Sequence, residues 1–194
     1  MATIMMSGSL SMDWTLLFIS CSTMQENSTN LKSCGNLMKR FQNISIVAIG
    51  RHVPSWAHDA INSYLDRMKT EQVNQIIVDL KQTKKLPDSV ILKQENDLLV
   101  SKLPKDNFYI ALDKTGVQWN NQQLLNTLTL SNQSKPITFI IGGALGLNQQ
   151  VLTLSNCQWS LSNLIFPHSI ARLLLVEQLY RSYSISCKHP YHRE

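Results

Sequence analysis

From residue 44 onward the chain alternates short apolar runs with stretches in which apolar residues recur every three or four positions. Ile44–Ile49 (ISIVAI) ends at Gly50 and reads as a buried strand. Pro54 can open a helix as its first residue. After it, Trp56, Ala60, Ile61, Tyr64, Leu65 and Met68 fall on one amphipathic face. Val73–Leu80 is a second strand, Lys81–Lys85 a basic turn and Asp88–Leu103 a helix. Phe108–Asp113 (FYIALD) is a third strand, with Lys114-Thr115-Gly116 as the turn that closes it. Asn120–Leu130 is a helix with Leu124, Leu125 and Leu128 on one side. Pro136–Ile141 (PITFII) is a fourth strand that runs directly into Gly142-Gly143-Ala144-Leu145-Gly146. Leu147–Ser155 is a short helix, Trp159–Ser162 a brief fifth strand and Ser169–Tyr183 the last helix. Strands that alternate with helices predict an α/β fold with a mainly parallel sheet.

The last helix carries more apolar surface than one stripe requires. Ile170, Leu173, Leu174, Leu175, Val176, Leu179 and Tyr180 spread round it. That excess fits a second buried face in a homodimer, or equally a central helix within one subunit. Beyond it, the final seven residues gather Lys188, His189, Tyr191, His192, Arg193 and Glu194, an unusual density of hydrogen-bonding groups for a terminus.

Composition changes the picture at the other end. Residues 1–43 are rich in Ser, Thr, Asn and Met and carry no Lys or Arg before Lys32. The apolar run Trp14–Cys21 is too short to span a membrane. It also lacks the basic segment of a secretory signal. This stretch is expected to be a poorly ordered, dispensable extension of a domain at 44–194, with Met38 as an alternative start of translation. The whole chain of 194 residues is long enough for one real core, and its net charge is +5. Residues 1–43 hold three of the basic groups (Lys32, Lys39, Arg40) and two of the acidic ones (Asp13, Glu26). The remainder carries 15 against 11, or +4, which permits a polyanionic partner without requiring one. Cys21, Cys34, Cys157 and Cys187 are scattered, with no C-x-x-C and no histidine at ligand spacing, so reduced structural thiols and no metal site are expected.

Ligands of open parallel sheets bind beyond the carboxyl ends of the strands. Three loops fall there: Leu112–Gly116, Gly142–Gly146 and Ser162–His168. Several familiar sites are absent. There is no G-x-x-x-x-G-K-[ST] phosphate loop, no G-x-G-x-x-G after the first strand and no G-x-S-x-G nucleophile elbow. Spacing alone leads only as far as an α/β domain with a binding site made of its carboxyl-edge loops.

Four elements in order go further: Phe139–Gly146 (FIIGGALG), Trp159–His168 (WSLSNLIFPH), Ala171–Ile185 (ARLLLVEQLYRSYSI) and His189–Glu194 (HPYHRE). Together with the opening strand and the YIALD-x-x-G loop, they resemble the family of the bacterial ribosomal large-subunit methyltransferase H, small members of the SPOUT, or α/β-knot, methyltransferases. The resemblance covers about Ile44 to Glu194. It departs from the family at Ala144, where proline is usual, and in the compact KQTKKLPD after the second strand.

The resemblance implies a SPOUT-type parallel-sheet α/β fold whose C-terminal segment forms a trefoil knot, with knot and cofactor site in about 137–194. It implies S-adenosyl-L-methionine as cofactor, contacted by Leu112, Gly142, Leu161, Ser162, Asn163, Leu164, Ile165 and Phe166. The implied reaction methylates N3 of a pseudouridine in helix 69 of 23S rRNA within the assembled 70S ribosome, by a cytoplasmic homodimer that uses neither membrane nor metal. Arg172, Tyr191, His192 and Arg193 become the candidates for the substrate side, with His192 as proton acceptor, while His168 is expected to be structural. The tail would reach the partner's cofactor. Two alternatives stand beside this one: the same chemistry on another RNA such as tRNA, and a ribosome-binding assembly factor that keeps the fold without catalysis.

Overall fold

A computed structural model describes residues 43–50, 53–68, 73–80, 86–131, 135–189 and 191. The N-terminal extension, the basic turn at 81–85, and His192 and Arg193 lie outside the described residues. Five strands form one sheet: β1 (Ile44–Ile49), β2 (Val73–Val78), β3 (Phe108–Gln118), β4 (Ile137–Ile141) and β5 (Cys157–Ser160). Their order is β2-β1-β4-β3-β5, and every pairing is parallel. Strands at the centre of a parallel sheet are covered on both faces by helices. β1 and β4 accordingly carry only Ile, Val, Ala, Phe, Ser and Thr, and are buried along their whole length.

The helices are α1 (Ser55–Arg67), α2 (Asp88–Ser101), α3 (Asn121–Ser131), α4 (Gln149–Leu154) and α5 (His168–Ser186). Three of them begin directly after a proline: Pro54, Pro87 and Pro167 hold the N-cap position in extended conformation. Pro54 therefore precedes the first helical residue instead of being it. One face of the sheet packs Ile46, Ile110, Phe139 and Trp159 against Ile61 of α1, Leu124 and Leu128 of α3, and Leu175, Val176 and Leu179 of α5. The other packs Val47, Ile49 and Ile140 against Leu99 of α2 and Val151 of α4. α5 is the centre of the first layer, meeting both α1 and α3.

Two expectations are corrected. Lys114-Thr115-Gly116 is not a closing turn. β3 continues to Gln118, and its register against β5 shifts between Leu112 and Val117, so that Trp159 faces both. A Cβ at Gly116 would stand 2.6 Å from the backbone of Gln158, so only glycine allows the strands to run this close. Trp56, placed by its spacing on the apolar face of α1, is 54% exposed. Cys157 and Cys187 are free thiols, and burial pushes the Cys157 thiol up to about 12. Among the described residues, no helix is long and apolar enough to cross a membrane.

Candidate active site

The carboxyl ends of β3, β4 and β5 open into one cavity of about 400 Å³. Its walls are Leu112–Lys114 from β3, Ile141–Leu147 after β4, Trp159–Ser162 and Leu164–Phe166 after β5, and His168 and Ala171 from the head of α5. That volume is of the size that holds a nucleoside-like ligand.

The floor depends on two glycines. A Cβ at Gly142 would lie 2.6 Å from the carbonyl carbon of Gly146, so the turn can close only with hydrogen there. Gly146 takes φ +81°, and its Cβ position faces open space. Gly146 N donates to Gly143 O (3.1 Å), which fixes the loop as a tight cradle of peptide groups. α2 supports this loop from below. Asn148 N donates to the buried Asn96 Oδ1 (3.1 Å), and Asn96 Nδ2 donates to Leu92 O (2.7 Å). Glu95 Oε2 lies 2.9 Å from where a Gly143 Cβ would stand, is buried, and has no hydrogen-bond partner. Burial, and then Asp79, raise the Glu95 carboxyl above its ordinary value, against a smaller opposing pull from His168. No local spacing marks Glu95 and Asn96, and the sequence reading missed both.

The rim is apolar. Leu164 is 70% and Ile165 81% exposed, so neither is packed in the core of this chain. Ser162 Oγ accepts from Leu164 N (3.0 Å) and Ser160 Oγ donates to Ser162 O (2.9 Å), bonds that hold the loop open under those side chains. At the β3 side, Asp113 Oδ1 takes both the Thr115 amide (2.9 Å) and its hydroxyl (2.6 Å).

Of the residues assigned to the cofactor, Leu112, Gly142, Leu161, Ser162, Leu164, Ile165 and Phe166 line this cavity, and Asn163 does not. Its Oδ1 instead accepts from Gln118 Nε2 (2.9 Å). Arg172 does not line it either. It is 5% exposed, donates from Nη2 to Gly50 O (3.0 Å), and burial lowers its pKa. His168 lines the cavity while its Nε2 sits 3.1 Å from the Cβ position of Gly50. Tyr191 packs on the other half of α5, where its hydroxyl donates to Glu177 Oε1 (3.2 Å). Among the described residues no group of three or more His, Cys, Asp or Glu could hold a metal ion.

An adenosine-like group fits this donor set. Leucine, isoleucine and phenylalanine side chains can wall a flat base, the cradle's peptide groups can read its edge, and Asp113 and Lys114 stand at the rim for a zwitterionic arm.

Comparison with known proteins gives the same direction. The family model described as "Predicted SPOUT methyltransferase" matches residues 42–192. A protein of Legionella pneumophila (strain Paris) named ribosomal RNA large subunit methyltransferase H is 38% identical over 153 residues, covering 77% of this chain and 98% of that one. A protein of the same name from Prochlorococcus marinus (strain NATL2A) is 38% identical over 157 residues, covering 81% and 100%. Among solved structures, a crystal structure from Bordetella pertussis Tohama I, described as a probable methyltransferase, superposes with a TM-score of 0.50 over 77% of this chain and 99% of that one. At 11% identity that likeness concerns the fold alone.

Proposed function

Because the chain belongs to the SPOUT methyltransferase family, we propose that it is an rRNA methyltransferase that uses S-adenosyl-L-methionine to methylate N3 of a pseudouridine in helix 69 of 23S rRNA. The proposed substrate state is the assembled 70S ribosome in the cytoplasm, and the proposed active form is a homodimer whose C-terminal segment is knotted. The observation that carries the reading is the cavity at the carboxyl edge, because seven of the eight residues assigned to the cofactor meet there around a glycine cradle.

When bound, S-adenosyl-L-methionine would supply a methyl group already activated by its sulfonium. The chain then has to orient and to move one proton. Gly142 and Gly146 let backbone approach the ligand, while Leu112, Leu161, Leu164 and Phe166 exclude water from it. Arg172, a cation buried at the head of α5, is proposed to favour the anion that develops as N3 loses its proton. His192 is proposed to accept that proton and Arg193 to hold the RNA; Tyr191, in the same tail, is taken up below. Residues 1–43 stand outside this reading, and a chain that starts at Met38 is expected to keep its activity.

The test is methyl transfer from labelled S-adenosyl-L-methionine to purified ribosomes that carry the pseudouridines but lack this methylation, with free 23S RNA in parallel. Label at a single helix 69 pseudouridine, in ribosomes only, is the expected result. Donor binding without incorporation would move the same chemistry to another RNA. Absence of donor binding would overturn the enzyme and leave a ribosome-binding assembly factor.

A further inference from the structure

We propose that Tyr191 is a positioning residue, a latch that folds the C-terminal tail back along α5 and so fixes where His192 and Arg193 begin. The proposal rests on the methyl-transfer reading for what the tail does, and on geometry for the latch itself.

The tail reverses sharply. Lys188 N donates to Ile185 O (3.1 Å) and His189 N to Ser184 O (2.8 Å), and Lys188 takes φ +53°. Glycine usually holds that left-handed position after a helix. A lysine there is strained by about 1 kcal/mol, so contacts further along must hold the reversed path. Tyr191 supplies them. It lies beside Glu177, fourteen positions upstream, so the chain has doubled back towards the end of α5 at which His168 and Ala171 line the cavity.

Its seat is built from two helices. The Tyr191 ring meets Tyr180 edge-on, with centroids 4.8 Å apart at 69°, and the Arg181 guanidinium stands 5.3 Å from its centre. The hydroxyl donates to Glu177 Oε1 (3.2 Å) and lies 3.5 Å from the Tyr64 hydroxyl of α1. Arg181 Nη2 (2.6 Å) and Gln178 Nε2 (2.6 Å) in turn hold the two oxygens of Glu177. The acceptor is therefore already oriented before the tail arrives. Tyr64, burial and the Glu177 carboxylate all push the Tyr191 phenol above its ordinary pKa. The hydroxyl is engaged by Glu177 and stands beside Tyr64, which suits it to a geometric role.

The variants are Tyr191→Phe, which keeps the ring and loses the hydroxyl, and Tyr191→Ala, which empties the seat, each made in the full chain. Release of Glu194 and Arg193 by a carboxypeptidase reads the latch directly, with no dependence on activity. It should quicken several-fold in Tyr191→Phe and more in Tyr191→Ala. Single-turnover methyl transfer should fall about tenfold in Tyr191→Ala, equivalent to about 1.4 kcal/mol of barrier, while donor affinity by calorimetry stays within about twofold of the parent. Unchanged release rates would overturn the latch, whatever the activity. A turnover loss matched by an equal loss of donor affinity would show a merely structural role and overturn the positioning. If the parent chain transferred no methyl, the proposed function would fail, and the release rates would still decide the latch.

Discussion

Arg172 Nη2 and the Gly50 carbonyl, 122 residues apart in sequence, are joined at 3.0 Å. Gly50 N also donates to Val78 O (2.9 Å), so a single residue ties the end of β1 to β2 and to the head of α5. At a φ of +99° any other residue would be strained, and its Cβ would press on the His168 ring at 3.1 Å. Hydrogen bonds to charged groups contribute about 1.5–3 kcal/mol. Arg172→Met should lower unfolding free energy by about that amount in urea titrations. If Arg172 also serves the substrate, turnover should drop by much more than donor affinity.

Gly142→Ala should damage donor binding before it damages the fold. Its Cβ would meet the backbone of Gly146 at 2.6 Å, and backbone cannot rotate aside. The cradle has to widen. We expect donor affinity by calorimetry to fall at least about tenfold, or 1.4 kcal/mol. Gly146→Ala meets no atom within 4 Å. It should cost only the strain of a positive φ, about 1–2 kcal/mol of stability.

Asn96→Ala leaves the half-buried Asn148 amide without its acceptor. A fully buried unsatisfied donor costs about 1–3 kcal/mol, and this half-buried one should fall near the lower end, about 1 kcal/mol. Asn148 is itself the N-cap of α4, accepting from Val151 N, so its displacement should pass into Gly142–Gly146. Thermal denaturation should show the loss of stability, and calorimetry a weakened donor.

Glu95 sets a pH dependence with a definite sign. Its folded pKa lies above the unfolded value, chiefly because of burial and Asp79, with His168 opposing. Between the two values the folded chain binds the extra proton, so this group's contribution to stability falls as pH rises from the ordinary carboxylate range through the raised folded value. Glu95→Gln cannot ionise. It should be more stable than the parent at pH 7, with the advantage shrinking towards pH 4 in urea titrations at successive pH values.

The strands were legible because a doubly covered parallel strand is a short apolar run, and Ile44–Ile49 and Ile137–Ile141 are just that. α5 was legible from the same kind of signal, though not its partners. The extension of β3 was not. Lys114, Thr115 and Gly116 are turn-like in isolation, and only the approach of β5, 40 residues later, makes Gly116 a strand residue. Arg172 was expected on the substrate side; its burial against the Gly50 carbonyl depends on tertiary packing and leaves no local signal. The assignment of Leu112, Gly142 and Leu161–Phe166 came from resemblance, since leucines such as Leu161 and Leu164 taken alone read more readily as core. Exposure of Leu164 and Ile165 could not have been inferred from residue type. Glu95 and Asn96 sit in a helix of mixed polarity, where their contacts with a loop 50 residues onward leave no local trace.

The strand order also governs how the chain can be made. β1 is flanked by β2 and β4, and β4 lies roughly 90 residues further on. At about 5–20 residues per second the nascent chain would carry β1 with one edge unpaired for several seconds. β1 is apolar on both faces, so that edge is a template for aggregation until β4 emerges. The fold therefore completes late and through distant pairings, the condition under which folding is slow, and its yield in the cell should depend on chaperone capacity more than its final stability suggests.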